Sequence, residues 1–317
     1  MKPLAFIAAA LAVFSLVANA AAADPDPDPD TLRIGYQKGS IPPVLAKEHG
    51  LLEKRFAGTA IKWIEFPAGP QMLEALNIGS PDIASTGDIP PIFAQVAGAD
   101  LVYVGAEPAK PEAEVILVRK DSPLRSVAEL KGRKVALQKG SSAHNLVLRA
   151  LLKAGLGFKD IQPVYLSPAD ARAAFENGSV DAWAIWDPYY SIALVEGQSR
   201  LLADGTGLGL SGPVYTARRS FAGQHPAFVQ QVLDELTAAD ELTRRQREQS
   251  VQILSRSMGL PGEVIGLYID HRPVSPVLPI TPAIIQAQQA TADLFFDNRL
   301  LPKRVDIQDA VWPVQPR

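Results

Sequence analysis

From residue 31 to about 213, short apolar runs alternate with stretches of helical periodicity. The runs fall at 32–36, 61–66, 82–85, 101–104, 115–118, 134–137, 163–166 and 181–185, each the length of a strand. Strands spaced by helices of ten or so residues predict α/β layers with parallel strands. The helix punctuation agrees. Pro70 follows Gly69 at a first helical position, Met72, Leu73 and Leu76 share one face, and Gly79 ends the turn. Ser167 with Asp170, and Ser126 with Glu129, are further helix starts with a hydroxyl to cap and an acid three residues on. After about 213 the texture changes, and 226–258 and 281–297 read as long helices, the second opened by Thr281-Pro282. Two α/β regions and a helical return predict two lobes, with crossings near 115–118 and 213–216.

The N-terminus and composition narrow the setting. Met1-Lys2-Pro3 is a short positive segment, residues 4–17 are almost wholly apolar, and Ala18-Asn19-Ala20 fits a small-x-small cleavage site. A signal peptide over 1–20 is expected, since the apolar run is shorter than the roughly 20 residues of a membrane span. Its removal moves the net charge from −3 to −4, and no basic stripe suggests nucleic acid. There is no cysteine, so no thiol can carry a lipid anchor and no disulfide supports the fold. An exported, freely soluble protein retained by an outer membrane points to a periplasm. The alternation of Asp and Pro over 24–30 predicts a disordered leader at 21–30. Pro at every second position argues against a calcium loop there.

Candidate chemistry lies in turns where an apolar run gives way to a helix. Three come in succession: Gly39-Ser40, Gly69-Pro70-Gln71, and Thr86-Gly87-Asp88. A helix N-terminus leaves N–H groups unpaired and carries partial positive charge, so several such ends meeting at one crevice bind an anion without a catalytic group. A fourth turn at 139–145 offers Ser141 and Ser142, as anion donors or as plain helix caps. The helix after it would turn Leu148, Leu151 and Leu152 to the core. Strand alternation sends Trp183 and Ile185 one way and places Trp186 at the strand's C-terminal edge. Trp186 could wall an apolar ligand tail or belong to the core. Asp187 could cap the next helix or accept a bond from an amine. Asp88 would repel a bound anion, so it is expected to cap its helix or meet a donor elsewhere. His144 reads as a helix-surface histidine. The G-x-G-x-x-G at 207–212 precedes Pro213 and a β-like run, so it offers no helix end to a pyrophosphate.

With these residues assembled, the chain resembles periplasmic aliphatic sulfonate-binding proteins, the receptors of ABC importers. The likeness spans 31 to about 313 and rests on 32–39, 66–71, 90–100, 168–176 with 180–183, Trp186-Asp187-Pro188 and 309–312. It implies the type II fold of these receptors, two α/β lobes each with a mixed sheet flanked by helices, joined by two crossings and closing around the ligand. Lobe I is expected over 31–116 and 215–317, and lobe II over 117–214. The resemblance implies ligand contacts at Gly39, Ser40, Gly69, Gln71, Thr86, Gly87, Ser141, Ser142, Trp186 and Asp187. It also implies no cofactor or metal, no catalysis, a monomer, and a membrane permease as partner. Taurine or nitrate are the rival ligands, and an exported enzyme on the same scaffold is the rival class. The chain departs from its relatives at Pro42-Pro43, which removes two N–H donors from the first helix head.

Overall fold

In a computed structural model, residues 28–312 are described. Ten strands form two five-stranded sheets. They are β1 (Thr31–Gln37), β2 (Ala60–Phe66), β3 (Ile83–Thr86), β4 (Leu101–Ala106), β5 (Glu114–Arg119), β6 (Lys134–Leu137), β7 (Gln162–Tyr165), β8 (Ala182–Trp186), β9 (Ser199–Asp204) and β10 (Val214–Arg218). The first sheet has the order β2-β1-β3-β10-β4 and the second β7-β6-β8-β5-β9. In the first, β1 runs parallel to β2 and β3, and β10 lies antiparallel between β3 and β4. In the second, β6 runs parallel to β7 and β8, and β5 lies antiparallel between β8 and β9. Each lobe's antiparallel strand is thus the one that arrives from the other lobe.

The strands form where apolar side chains can be buried on both faces. In β5, Val115 and Leu117 pack with Trp183 and Ile185, while Ile116 and Val118 pack with Leu146, Val147 and Leu151 of the helix Ser142–Lys153. In β1, Leu32, Ile34 and Tyr36 enter the core beneath the helices Ile41–His49 and Pro226–Arg245. Met72, Leu73 and Leu76 are buried along Gly69–Asn77 as the periodicity predicts. Ser167 and Thr281 cap their helices, and Ser126 with Glu129 forms the capping box.

Several expectations change. The crossings occupy 107–113 and 205–213, so 115–118 lies inside β5 and 214–216 inside β10. An apolar run marks a strand but not the sheet it joins. The helix expected over 226–258 breaks at Gln246, whose φ of −137° and ψ of 51° are not helical. The break yields Pro226–Arg245 and Arg247–Met258, and the Leu242 carbonyl there accepts from both Gln246 N–H at 2.9 Å and Ser250 Oγ at 3.0 Å. The strand β9 and the helix Gly262–Asp270 had no separate forecast. Leu152 is exposed, while Leu148 and Leu151 are buried. The expected signal peptide and most of the expected leader lie outside the described residues. At the leader's end, however, Pro29 is buried and the Asp30 carbonyl accepts from Ala60 N–H at 2.8 Å, so these two residues belong to the fold.

Candidate functional site

Four helix N-termini meet at one cleft of about 100 Å³ between the sheets. The helices are Ile41–His49, Gly69–Asn77, Ile89–Val96 and Ser142–Lys153. Each follows the C-terminal end of a parallel strand, where α/β sheets place their ligands. Gly39 and Ser40 line the cleft, as do Gly69, Thr86 and Gly87, Ser141 and Ser142, and Trp186 and Asp187. Gln71 does not. It stands behind Gly69 in the first turn of its helix, with Oε1 buried and unpartnered.

The heads differ in what they can donate. At the first, Ser40 N–H already binds the Gln37 carbonyl at 2.7 Å, and Pro42 and Pro43 have no N–H, leaving that of Ile41. The Gly39 carbonyl accepts from the Tyr268 hydroxyl. At the third, Pro90 and Pro91 remove two more donors, and Thr86 Oγ1 donates to the Gly87 carbonyl at 2.9 Å. At the fourth, Ser141 closes its own turn, its Oγ donating to the Gln138 carbonyl at 2.7 Å, and makes no side-chain cap. The N–H groups of Ser142 and Ala143 and the Ser142 hydroxyl therefore head a helix without proline.

Close approach explains the glycines. A Cβ on Gly87 would stand 3.0 Å from Ser142 Cβ, in the opposite lobe. One on Gly69 would stand 2.7 Å from Pro90 Cγ, and one on Gly39 would stand 2.7 Å from Pro188 Cδ.

Trp183 and Ile185 are buried in the core, while Trp186 reaches the cleft. Asp187 is consumed within the protein. Its Oδ1 accepts from Ser191 N at 2.9 Å and Ser191 Oγ at 2.5 Å, capping the helix Tyr189–Glu196. Its Oδ2 pairs with His271 Nδ1 at 2.7 Å, across the cleft mouth from the other lobe. Burial opposes a charge on His271, but the Asp187 bond and charge outweigh it and raise the imidazole pKa.

The sequence reading missed the ionisable floor of the cleft. Glu107 and Lys110 lie on the first crossing and pair with each other. Glu107 also accepts from Tyr215 Oη at 2.8 Å and faces Arg272 at 3.5 Å, and Arg272 binds Asp240 at 3.0 Å. Burial works against the Glu107 carboxylate, yet Lys110 and Arg272 hold its pKa below the usual range. Burial and then Arg272 lower that of Lys110. Asp88 does not cap its helix. Its Oδ2 accepts from Asn145 Nδ2 at 2.7 Å, and burial raises its pKa to about 7. Burial first, then the charge of Asp88, raises Glu114 to about 8. His144 is buried rather than on the surface, its Nδ1 accepting from Gly140 N–H at 3.2 Å, and burial pulls its pKa down to about 3. No motif links these residues along the chain, and only the packing of 107–114 against the helix heads could reveal them. Among the described residues, no group of three His, Cys, Asp or Glu side chains is placed to hold a metal.

A cleft between two sheets, ringed by helix N-termini and hydroxyls, defines a two-lobed solute-binding protein. Residues 38–248 match the model of the NMT1/THI5 like family, and the chain belongs to that family. It is 64% identical over 281 residues to an aliphatic sulfonates-binding protein of Escherichia coli (strain K12), covering 89% of this chain and 88% of that relative. A solved structure of the alkanesulfonate-binding protein SsuA from Xanthomonas axonopodis pv. citri bound to MOPS superposes with a TM-score of 0.89. It is 57% identical, covering 90% of this chain and 99% of that one. The crystal structure of the periplasmic aliphatic sulphonate binding protein SsuA from Escherichia coli gives a TM-score of 0.85 at 62% identity, covering 92% of this chain and 94% of that one.

Proposed function

We propose that this chain is a periplasmic receptor that binds aliphatic sulfonates between its lobes and delivers them to an ABC permease for sulfur acquisition. The observation that carries the proposal is the convergence of four helix N-termini and the Ser142 hydroxyl on one cleft, beside the apolar wall of Trp186, Ile41 and Leu210. A sulfonate stays ionised at any relevant pH, and its three oxygens accept hydrogen bonds only. Charge-assisted bonds contribute roughly 1.5–3 kcal/mol each, and a partly buried helix end up to about 2 kcal/mol. A micromolar affinity needs about 8 kcal/mol, within reach of a few such contacts once association costs are offset by lobe closure.

Taurine is the second reading, because two glutamates line the cleft and could meet an ammonium. Glu107 is already occupied by Lys110, Tyr215 and Arg272, Asp187 by His271 and Ser191, and Glu114 favours its neutral form. No free carboxylate remains for an amine, which favours an uncharged alkyl tail. In this reading the lobes are joined at 107–113 and 205–213, the protein acts as a monomer freed by loss of 1–20, and Gly39, Ser40, Gly69, Thr86, Gly87, Ser141, Ser142 and Trp186 contact the ligand. Gln71 and Asp187 support the contact residues beside them, and no residue is assigned a catalytic step. A thermal-shift screen of alkanesulfonates, taurine and nitrate tests it. A higher melting temperature with alkanesulfonates is expected, and a rise with nitrate or taurine alone refutes the assignment.

A further inference from the structure

One side chain in the cleft has no task in the scheme above. Glu114 opens β5 directly opposite Trp186 in the antiparallel ladder, and it lines the cleft beside the helix head at Ser142. Its Oε2 is buried without a hydrogen-bond partner. A charged oxygen so placed would lose its water with nothing in exchange, and a buried acid answers by keeping its proton. The groups around it reinforce this. Asp88, at the head of Ile89–Val96, adds like charge, and Lys110 is already engaged by Glu107. Arg149 is held by Asn145 and Thr291, and Asp187 on the neighbouring strand end is paired with His271. The Ser142 hydroxyl and Lys110 only partly counter the burial and the Asp88 charge.

We propose that Glu114 meets the ligand as a neutral carboxylic acid and donates its proton in a hydrogen bond to a sulfonate oxygen, so that it decides which headgroups the cleft accepts. The proposal rests on the sulfonate-receptor reading. An oxyanion that never carries a proton requires every proton in the contact to come from the protein. An ionised Glu114 would set charge against charge where little water remains to screen it. Ligand and proton therefore bind together. The acid form, populated below about pH 8, is the competent one, and above that pH a proton must be taken up with the ligand. The same argument excludes an amine-bearing ligand from this position, since a neutral acid gives an ammonium no counter-charge.

Isothermal titration with butanesulfonate, in buffers of differing ionisation enthalpy, tests it. Wild-type affinity should fall about tenfold between pH 7 and 9, with uptake approaching one proton at pH 9. Glu114→Gln keeps a donor of the same shape but has no proton to lose, so the affinity it shows at pH 7 should persist at pH 9, without the roughly tenfold decline or the proton uptake. Asp88→Asn removes the like charge and should move the wild-type break to lower pH. A pH-independent wild type without proton uptake overturns the proposal while leaving the receptor reading intact. So does a Glu114→Gln protein that folds but no longer binds butanesulfonate, or one that loses taurine binding shown by the wild type at pH 9. Absence of butanesulfonate binding by the wild type at every pH overturns both readings. The wild-type proton count needs no variant, so a misfolded substitution leaves the test standing.

Discussion

The two lobes share one topology but equip it differently. In each, three consecutive parallel strands are followed in the sheet by an antiparallel strand that comes from the other lobe. The first lobe brings three helix heads to the cleft, and all three carry proline in their first turn. The second brings one, Ser142–Lys153, and it has none. Proline fixes a helix start but removes a donor. The first lobe thus supplies a stiff wall with few N–H groups, and the second supplies a denser set of donors. An anion held by both would make closure itself part of the binding energy.

The largest effects should come from the donor-rich side and the glycine that faces it. Ser142→Pro, and Gly87→Val with its added bulk against Ser142, should each weaken alkanesulfonate binding by at least about 100-fold, or roughly 2.7 kcal/mol. The melting temperature without ligand should change little. Normal binding by both variants in calorimetry would break the comparison outright.

Trp186→Ala sharpens it along the apolar wall. The loss should be about tenfold for a long alkyl chain and slight for methanesulfonate, because only the long chain needs that surface. Equal losses across a chain-length series would remove Trp186 from the tail site.

A smaller effect is expected from returning a donor to the first lobe. Pro42→Ala restores an N–H at a head that lines the cleft, and affinity should rise by no more than about tenfold. No gain would mean that this head shapes the cleft without binding the anion.

A separate effect concerns stability rather than binding and rests on His144, whose ring packs against Phe158 of its own lobe and Phe93 and Phe295 of the other. His144 is buried neutral, with its pKa lowered to about 3, so the unfolded chain binds a proton that the folded one refuses. Its contribution is present above about pH 6.5 and is lost as pH falls toward 3. Glu114 and Asp88, with raised pKa values, act in the opposite sense, favouring the fold at low pH and losing that advantage as pH rises through about 7 to 8. Comparing wild type with His144→Leu in thermal melts at pH 7 and 4.5 isolates the first contribution. The variant should lose less stability on acidification, and parallel losses would refute the assignment.

Much of the architecture was legible because it is written locally. Apolar runs of strand length, Ser126 with Glu129, Pro70 after Gly69 and Thr281-Pro282 each declare an element through its own neighbours. The helix-head turns were legible for the same reason. The break at Gln246 was not, because the helical periodicity continues through it. Nor was the burial of His144, which depends on Phe158 and Phe295 packing around its ring. Asp187 was legible as a helix cap but not as the partner of His271, which lies 84 residues away.

The chain by itself determined that strands would hand over to helices at turns rich in glycine, serine and proline, since those preferences act over three or four residues. Only the tertiary structure decided that four such turns share one cleft, and that Glu107, Lys110 and Glu114 line it. It also decided which acids keep their protons, because that depends on water being excluded and on which distant charges are brought close.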